Sequence, residues 1–293
     1  MNRASPRKPD LAAAARLREA SGDLLAEVRR QIDAPGTDDA TAVHEFRKAM
    51  KRWRALLRLY EPLFGAEAEQ LRTEARDLAR ELAGTRDARS ALDALADLRE
   101  APLSERTLAT IRARLEGLGV SAEAATLTDD LRERMRAALD HATTAAMAWP
   151  RHAMDFAAVA DGLAASYARA RRAIPEHWPG ASPDALHVLR QRVVVHRYQM
   201  ELAVPLWPKI GRVWVAEVQK LRDHLGHFQD LAVLQDFAAP RQPLAHWRSR
   251  LLPLIAARQA EHAASAARVA RRLFAEKPKA FRRRLMSLWE GGA

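Results

Sequence analysis

Cysteine is absent from the 293 residues, which removes disulfides, thiolate nucleophiles and cysteine-ligated zinc or iron–sulfur sites in one step. No run approaches the roughly 18 apolar residues of a membrane span, and the opening MNRASPRKPD lacks the apolar stretch of a secretory signal. A cytoplasmic protein that does not engage a membrane is therefore expected. Strand-like alternation of apolar and polar residues is missing as well. So are a Gly-rich phosphate loop, the His-Glu-x-x-His pattern of zinc hydrolases, and the paired Glu-x-x-His motifs of helical di-metal sites. The chain thus reads as a non-enzyme, with no cofactor and no metal.

What is present in excess is positive charge. Lys and Arg number 48 against 37 Asp and Glu, a net +11, with a pI near 10.7, so an acidic partner is the first class to consider. The excess is concentrated. The segment from His44 to Arg58 carries a net +5 and that from Arg268 to Arg284 a net +7, which leaves the remainder about neutral.

A histidine followed by arginines three and ten residues later occurs twice, from His44 and from His187. Adding 143 to the residue number carries His44 to His187, Arg47 to Arg190, Arg54 to Arg197, Pro62 to Pro205 and Asp87 to Asp230, with no gap. Ten identities fall in the 48 positions from 44 to 91, where composition alone predicts about four. An internal repeat of this length implies two similar halves, 1–148 and 149–293.

Helical periodicity runs through both halves. Leu17, Leu24, Leu25 and Val28 predict a helix over 10–33 that ends at Pro35-Gly36. Thr41 is the expected cap of a helix reaching Tyr60 and stopping before Pro62. Leu71, Ala75, Leu78 and Leu82 form the next stripe, broken near Gly84, and helices follow over 86–98, 104–117 and 121–148. After Trp149-Pro150 come helices over 155–174, from Ser182-Pro183 to Pro205, over 211–237 and over 243–275, with Pro278 opening a last one. Short loops force successive helices side by side, so the expected architecture is all-α, as two related antiparallel helical bundles.

On a helical projection Arg47, Lys48, Lys51, Arg52, Arg54 and Arg58 all fall within about 80° of His44. Like charges three and four apart repel by a few tenths of a kcal/mol per pair, and Glu45 alone relieves them. Met50, Trp53 and Leu57 occupy the opposite side and supply a core face, which leaves the basic side to meet something other than water. In the second repeat His187, Arg190 and Arg197 stay together, but Val194 and Val195 replace Lys51 and Arg52, and Glu201 replaces Arg58. Lys220, His224 and His227, at i, i+4 and i+7, are the expected compensation from the next helix. Arg72, Arg76 and Arg80 form a comparable ladder, for which pairing with neighbouring acids is an equal reading. Phe281, Leu285 and Leu288 read as a docking face, with Lys277, Lys279, Arg282 and Arg283 extending a basic rim.

The segments VHEFRKAMKRWRALLRLYEPLF (43–64), LHVLRQRVVVHRYQMEL (186–202), LRDHLGHFQDLAVL (221–234) and ARRLFAEKPKAF (270–281) resemble, in order, the signature segments of the CHAD family, the conserved histidine α-helical domain. The resemblance covers most of the chain. It implies two bundles about a pseudo-two-fold axis, with a basic central channel or cleft that binds inorganic polyphosphate, and association with polyphosphate granules. By matching position, His44, Arg47, Lys51, Arg52, Arg54, His187, Arg190 and Arg197 face the anion. Val194 and Val195 depart from the family's basic pair and inherit no role. The competing reading of the same surface is a nucleic-acid-binding or nucleoid-associated protein, with Trp53, Trp178, Trp207, Trp214 and Tyr198 as stacking platforms if they are not core.

Overall fold

Side chains at helical spacing need neighbours to bury against, and the chain supplies them by folding back repeatedly. The computed structural model describes residues 8–34, 38–82, 87–98, 103–120, 128–149, 155–204 and 208–292. Among these, ten α-helices follow one another: α1 Lys8–Asp33, α2 Asp39–Glu81, α3 Asp87–Asp97, α4 Glu105–Val120, α5 Asp129–Ala148, α6 Phe156–Arg172, α7 Pro183–Ala203, α8 Pro208–Phe237, α9 Arg248–Leu273 and α10 Pro278–Gly292. A short 3-10 turn, Ala245–Trp247, precedes α9. No strand occurs among the described residues. The breakers Pro35-Gly36, Gly84 and Pro205, and Trp207, lie outside them.

Side-chain oxygens cap several of these helices. Ser182, followed by Pro183, accepts from the Ala185 N–H at 3.1 Å, Asp155 from Ala158 at 2.7 Å and Thr128 from Leu131 at 3.2 Å. Each satisfies one of the orphan donors of a first helical turn. At α2 the cap is Asp38 rather than Thr41. Its carboxylate accepts both the Thr41 N–H at 2.9 Å and the Thr41 hydroxyl at 2.7 Å, and a carboxylate is also favoured by the helix dipole.

Nor does α2 stop before Pro62. It continues through that exposed proline and breaks at Gly65, whose φ of +52° lies in the left-handed region. Proline removes one N–H, but the turn itself needs a residue without a Cβ. The arm before Gly65 carries the basic face, and the arm after it carries Leu71 and Ala75 into the core.

Two apolar clusters hold the helices together. In the larger, α2 packs against α1, α5, α6 and α7, and α6 also carries α10. Trp53 stacks on Trp149 at 5.7 Å, which in turn stacks on Phe64 at 4.7 Å. Met50, Trp53 and Leu57 are buried as the helical projection requires. The smaller cluster joins Ala91, Leu95, Ile111 and Leu115 of α3 and α4 to Leu231, Leu234, Leu251 and Ile255 of α8 and α9. Both clusters draw side chains from each side of residue 148.

Where α6 crosses α2, Gly162 allows backbone-close approach: a Cβ there would stand 2.8 Å from the Leu59 carbonyl oxygen and 2.5 Å from Leu59 Cδ1. Nearby, α7 buries His196 completely. The Ser166 hydroxyl donates to the Leu163 carbonyl at 2.9 Å, so it accepts from His196 Nδ1 at 2.8 Å. His196 Nε2 then accepts from the Trp214 indole N–H at 3.2 Å. Both ring nitrogens are satisfied only in the neutral form, and burial pushes the imidazole down from 6.5 to about 3.

Gly162→Ala is expected to lower stability by about 1–3 kcal/mol through overpacking of backbone on backbone, read as a lower urea midpoint. For His196, the unfolded chain takes up a proton below about pH 6.5 that the folded chain refuses until about pH 3. Stability is therefore full above that window and falls as pH falls through it, by at most about 1.4 kcal/mol per pH unit for this proton. Urea midpoints at pH 7.5 and 5.5 should differ less in His196→Gln than in the wild type. An equal pH dependence in both would contradict the assignment.

Candidate functional site

The apolar faces of α2 and α7 turn inward, so their polar faces meet at the surface. Between them lies a cleft of about 370 Å³, lined by Lys51, Arg54, Ala55 and Arg58 of α2, Arg190, Gln191, Arg192, Val194, Val195 and Tyr198 of α7, and Arg222 of α8. Six of these side chains are cationic and none is acidic. Ala55, the two valines and the Tyr198 ring give the cleft an apolar wall. Ala55 also joins the two helices, since its carbonyl accepts from the buried Gln199 amide at 2.8 Å.

The cations of the cleft repel one another. The Arg54 guanidinium is held below the usual arginine range by burial first, then by Arg76, Arg72 and Arg80, with Asp77 opposing. Arg58 is lowered by burial, then by Arg72, Arg192, Arg54 and Arg169. Both stay charged near neutrality, because arginine starts so high, but both are short of counter-charge. A multivalent anion in the cleft would supply it.

The structure divides the thirteen residues singled out from sequence. Lys51, Arg54, Arg58 and Arg190 line the cleft. Arg52 and Arg197 stand at its edge, where they share Glu201 at 3.2 and 3.7 Å and flank the Tyr198 ring at 5.8 and 4.9 Å. His187 is one turn from Gln191, whose amide donates to its Nε2 at 2.8 Å. That places the ring proton on Nδ1, a buried nitrogen with no hydrogen-bond partner among the described residues. His44 is exposed beside Glu45, with which Lys48 pairs at 2.9 Å. Arg47 donates to the Leu82 carbonyl at 3.2 Å, tying the two arms of α2 together.

The ladder Lys220, His224 and His227 is not brought to the cleft. It takes the side of α8 opposite Arg222, because residues two apart on a helix lie about 200° around the axis. Lys220 pairs with Glu217. His224 and His227 pack against His262 of α9, and burial together with the neighbouring imidazoles lowers the His224 pKa. In the C-terminal helix Phe281 and Leu285 are buried, while Arg282 pairs with Asp161 and Arg284 with Glu276. Trp53 and Tyr198 are buried, and Trp178 and Trp214 pack on the core.

The sequence model of the CHAD domain matches residues 11–239. The chain belongs to the CHAD family. Its fold is also that of a solved member: the crystal structure of the CHAD domain from the plant Ricinus communis superposes with a TM-score of 0.65 at 19% sequence identity, over 91% of this chain and 94% of that one. Comparison with curated proteins finds no match.

Within this CHAD domain, Arg192 and Arg222 are cleft residues that the helical projection passes over. Arg192 falls about 140° from His187 on its own helix, and Arg222 comes from the helix that packs beside α7. Arg72 and Arg76 have the neighbouring acids that the ion-pairing reading expects. They pair with Glu69 at 3.5 Å and Asp77 at 2.8 Å, yet remain close enough to depress Arg54.

Removing one crowded cation should relieve the others. Arg58→Gln is expected to raise stability by about 0.5 kcal/mol at low salt, with the gain vanishing at high salt, where the wild-type repulsion is already screened. Thermal midpoints at both salt levels check this.

Proposed function

We propose that this protein binds inorganic polyphosphate in the cleft between α2 and α7 without turning it over, and that it associates with polyphosphate granules in the cytoplasm. The observation that carries the reading is the lining: Lys51, Arg54, Arg58, Arg190, Arg192 and Arg222 converge with no carboxylate among them. Polyphosphate carries about one charge per unit along a narrow, flexible backbone. Arginine forks hold neighbouring phosphate oxygens in pairs, and Lys51 adds a mobile point charge. Arg72, Arg76, Arg80 and Arg169 extend the positive potential beyond the cleft, which suits a chain longer than the cleft itself. Hydrolysis or phosphoryl transfer would ask for carboxylates to hold Mg²⁺ or to take a proton, and the lining offers neither.

Gln191 fits the same reading, since it lines the cleft and an amide N–H can donate to a phosphate oxygen. Membership of the CHAD family adds to the case through the polyphosphate binding that the resemblance implies. No described helix is long and apolar enough to cross a membrane.

Six neutralised phosphates on a flexible single chain correspond to a salt slope near −4, or a loss of about 300-fold in affinity between 50 and 200 mM salt. Fluorescent polyphosphate titrated into the full chain should show that slope. The double variant Arg54→Ala/Arg190→Ala should flatten it by about one unit or more, with helical circular dichroism unchanged. Excess duplex DNA should not displace the polyphosphate, and phosphate should not be released with Mg²⁺ or Mn²⁺ present. Ready displacement by DNA would make the cleft a general nucleic-acid surface, and phosphate release would make the protein an enzyme.

A further inference from the structure

At the junction of α3, α8 and α9, on the side of α8 away from the cleft, three helices deliver metal-ligand chemistry to one point. Asp97 closes α3, His227 lies in the middle of α8 and His262 in the middle of α9. One carboxylate oxygen and two imidazole nitrogens from these residues all lie within 4.8 Å of one another. His262 and Asp97 are nearly buried, with side-chain exposures of 8% and 12%, whereas His227 is exposed and packs its ring on His262 at 5.0 Å. We propose that Asp97, His227 and His262 form a binding site for a divalent transition-metal ion of the Zn²⁺ class.

The surroundings are those of a ligand set held in place from outside. Arg258 grips Asp97 with two donors, Nη2 to Oδ1 at 2.8 Å and Nε to Oδ2 at 3.1 Å, which fixes the plane of the carboxylate. Asp97 Oδ2 faces His262 Nε2 at 2.7 Å. The opposite nitrogen of the same ring, Nδ1, meets His224 Nδ1 at 3.3 Å. In the metal-free form His262 Nε2–H donates to Asp97 Oδ2; an ion bound there would take the Nε2 lone pair and leave the ring proton on Nδ1, where it can be donated to His224. A ligating histidine characteristically has such an outer partner, which sets the tautomer and the ring orientation. The cation takes the place of the proton between Nε2 and Oδ2.

A buried His–Asp ion pair alone would explain Asp97 and His262. It would not call for a second imidazole on the ring face and a third on Nδ1. Zinc–nitrogen bonds of about 2.0–2.1 Å put tetrahedral ligands roughly 3.3 Å apart. Rotation of the exposed His227 ring closes the remaining gap, and water completes the coordination. Two imidazoles and one carboxylate favour Zn²⁺, Co²⁺ or Ni²⁺ over the oxygen-seeking Mg²⁺ and Ca²⁺. A bound ion would clamp α3 onto the α8–α9 pair and stabilise the smaller apolar cluster. This inference stands independently of the polyphosphate reading.

The test uses the untagged full chain, stripped with chelator and titrated with Zn²⁺, and with Co²⁺ for its visible spectrum. One equivalent is expected to bind, to raise the thermal midpoint and to give a tetrahedral cobalt band. His227→Gln, an exposed change that leaves the fold intact, and Asp97→Asn should each weaken affinity by about 100-fold or more, and His224→Ala by about 10-fold. His44→Gln and His187→Gln should leave it unchanged. Failure to bind one equivalent, or unaltered affinity in His227→Gln, would overturn the site.

Discussion

The packing of α2 on α7 is the contact on which the charge of this molecule depends. Each helix buries one face and carries cations on another, so when the apolar faces share a core the basic faces are brought to the same surface. Gln199 fixes the register by donating to the Ala55 carbonyl between two turns of arginine. The resulting repulsion amounts to tenths of a kcal/mol for each exposed pair. A single buried side chain such as Trp53, Leu56 or Leu57 contributes about 1.5–3 kcal/mol, so the core outweighs the crowding and can hold arginines where they would not gather by themselves.

Acids relieve this crowding at several places around the cleft. Glu45 answers Lys48, Glu217 answers Lys220, and Glu201 answers Arg52 and Arg197 at the rim. The cleft lining itself contains no carboxylate, and Asp223 answers Arg222 from beside it at 2.9 Å. Glu201 occupies the position that Arg58 holds in the first repeat. The two helices are therefore not equivalent: α2 brings three cations to the cleft, while α7 brings two and also the Val194, Val195 and Tyr198 wall. The apolar replacements that break the sequence symmetry become part of the site's shape.

Secondary structure was largely legible because it is a local property. The 3.6-residue period, Ser182-Pro183 at the start of α7 and Pro278 at the start of α10 each depend on a few neighbours along the chain. The errors were local too. Asp38 outcompetes Thr41 as a cap because a carboxylate accepts two hydrogen bonds, and α2 passes Pro62 because the left-handed turn falls at Gly65. His196 is a different case. In a segment rich in cations it reads as one more polar residue, and only the converging Ser166 and Trp214 make it a neutral core group.

By itself the sequence determined that the protein is helical, that its positive charge gathers on the helix from His44 to Arg58, and that a helix with the same spacing of one histidine and two arginines carries His187. Lys51, Arg54, Arg58 and Arg190 follow from that pattern because residues on one helical face are related by a fixed angle. Tertiary structure alone decided that Arg192 and Arg222 join them, that His224 and His227 turn instead to His262 and Asp97, and that α3 and α4 pack on α8 and α9. Those outcomes depend on which helix lies beside which, set by the fit of apolar surfaces across more than a hundred residues of chain, and no periodicity within one helix encodes its neighbour.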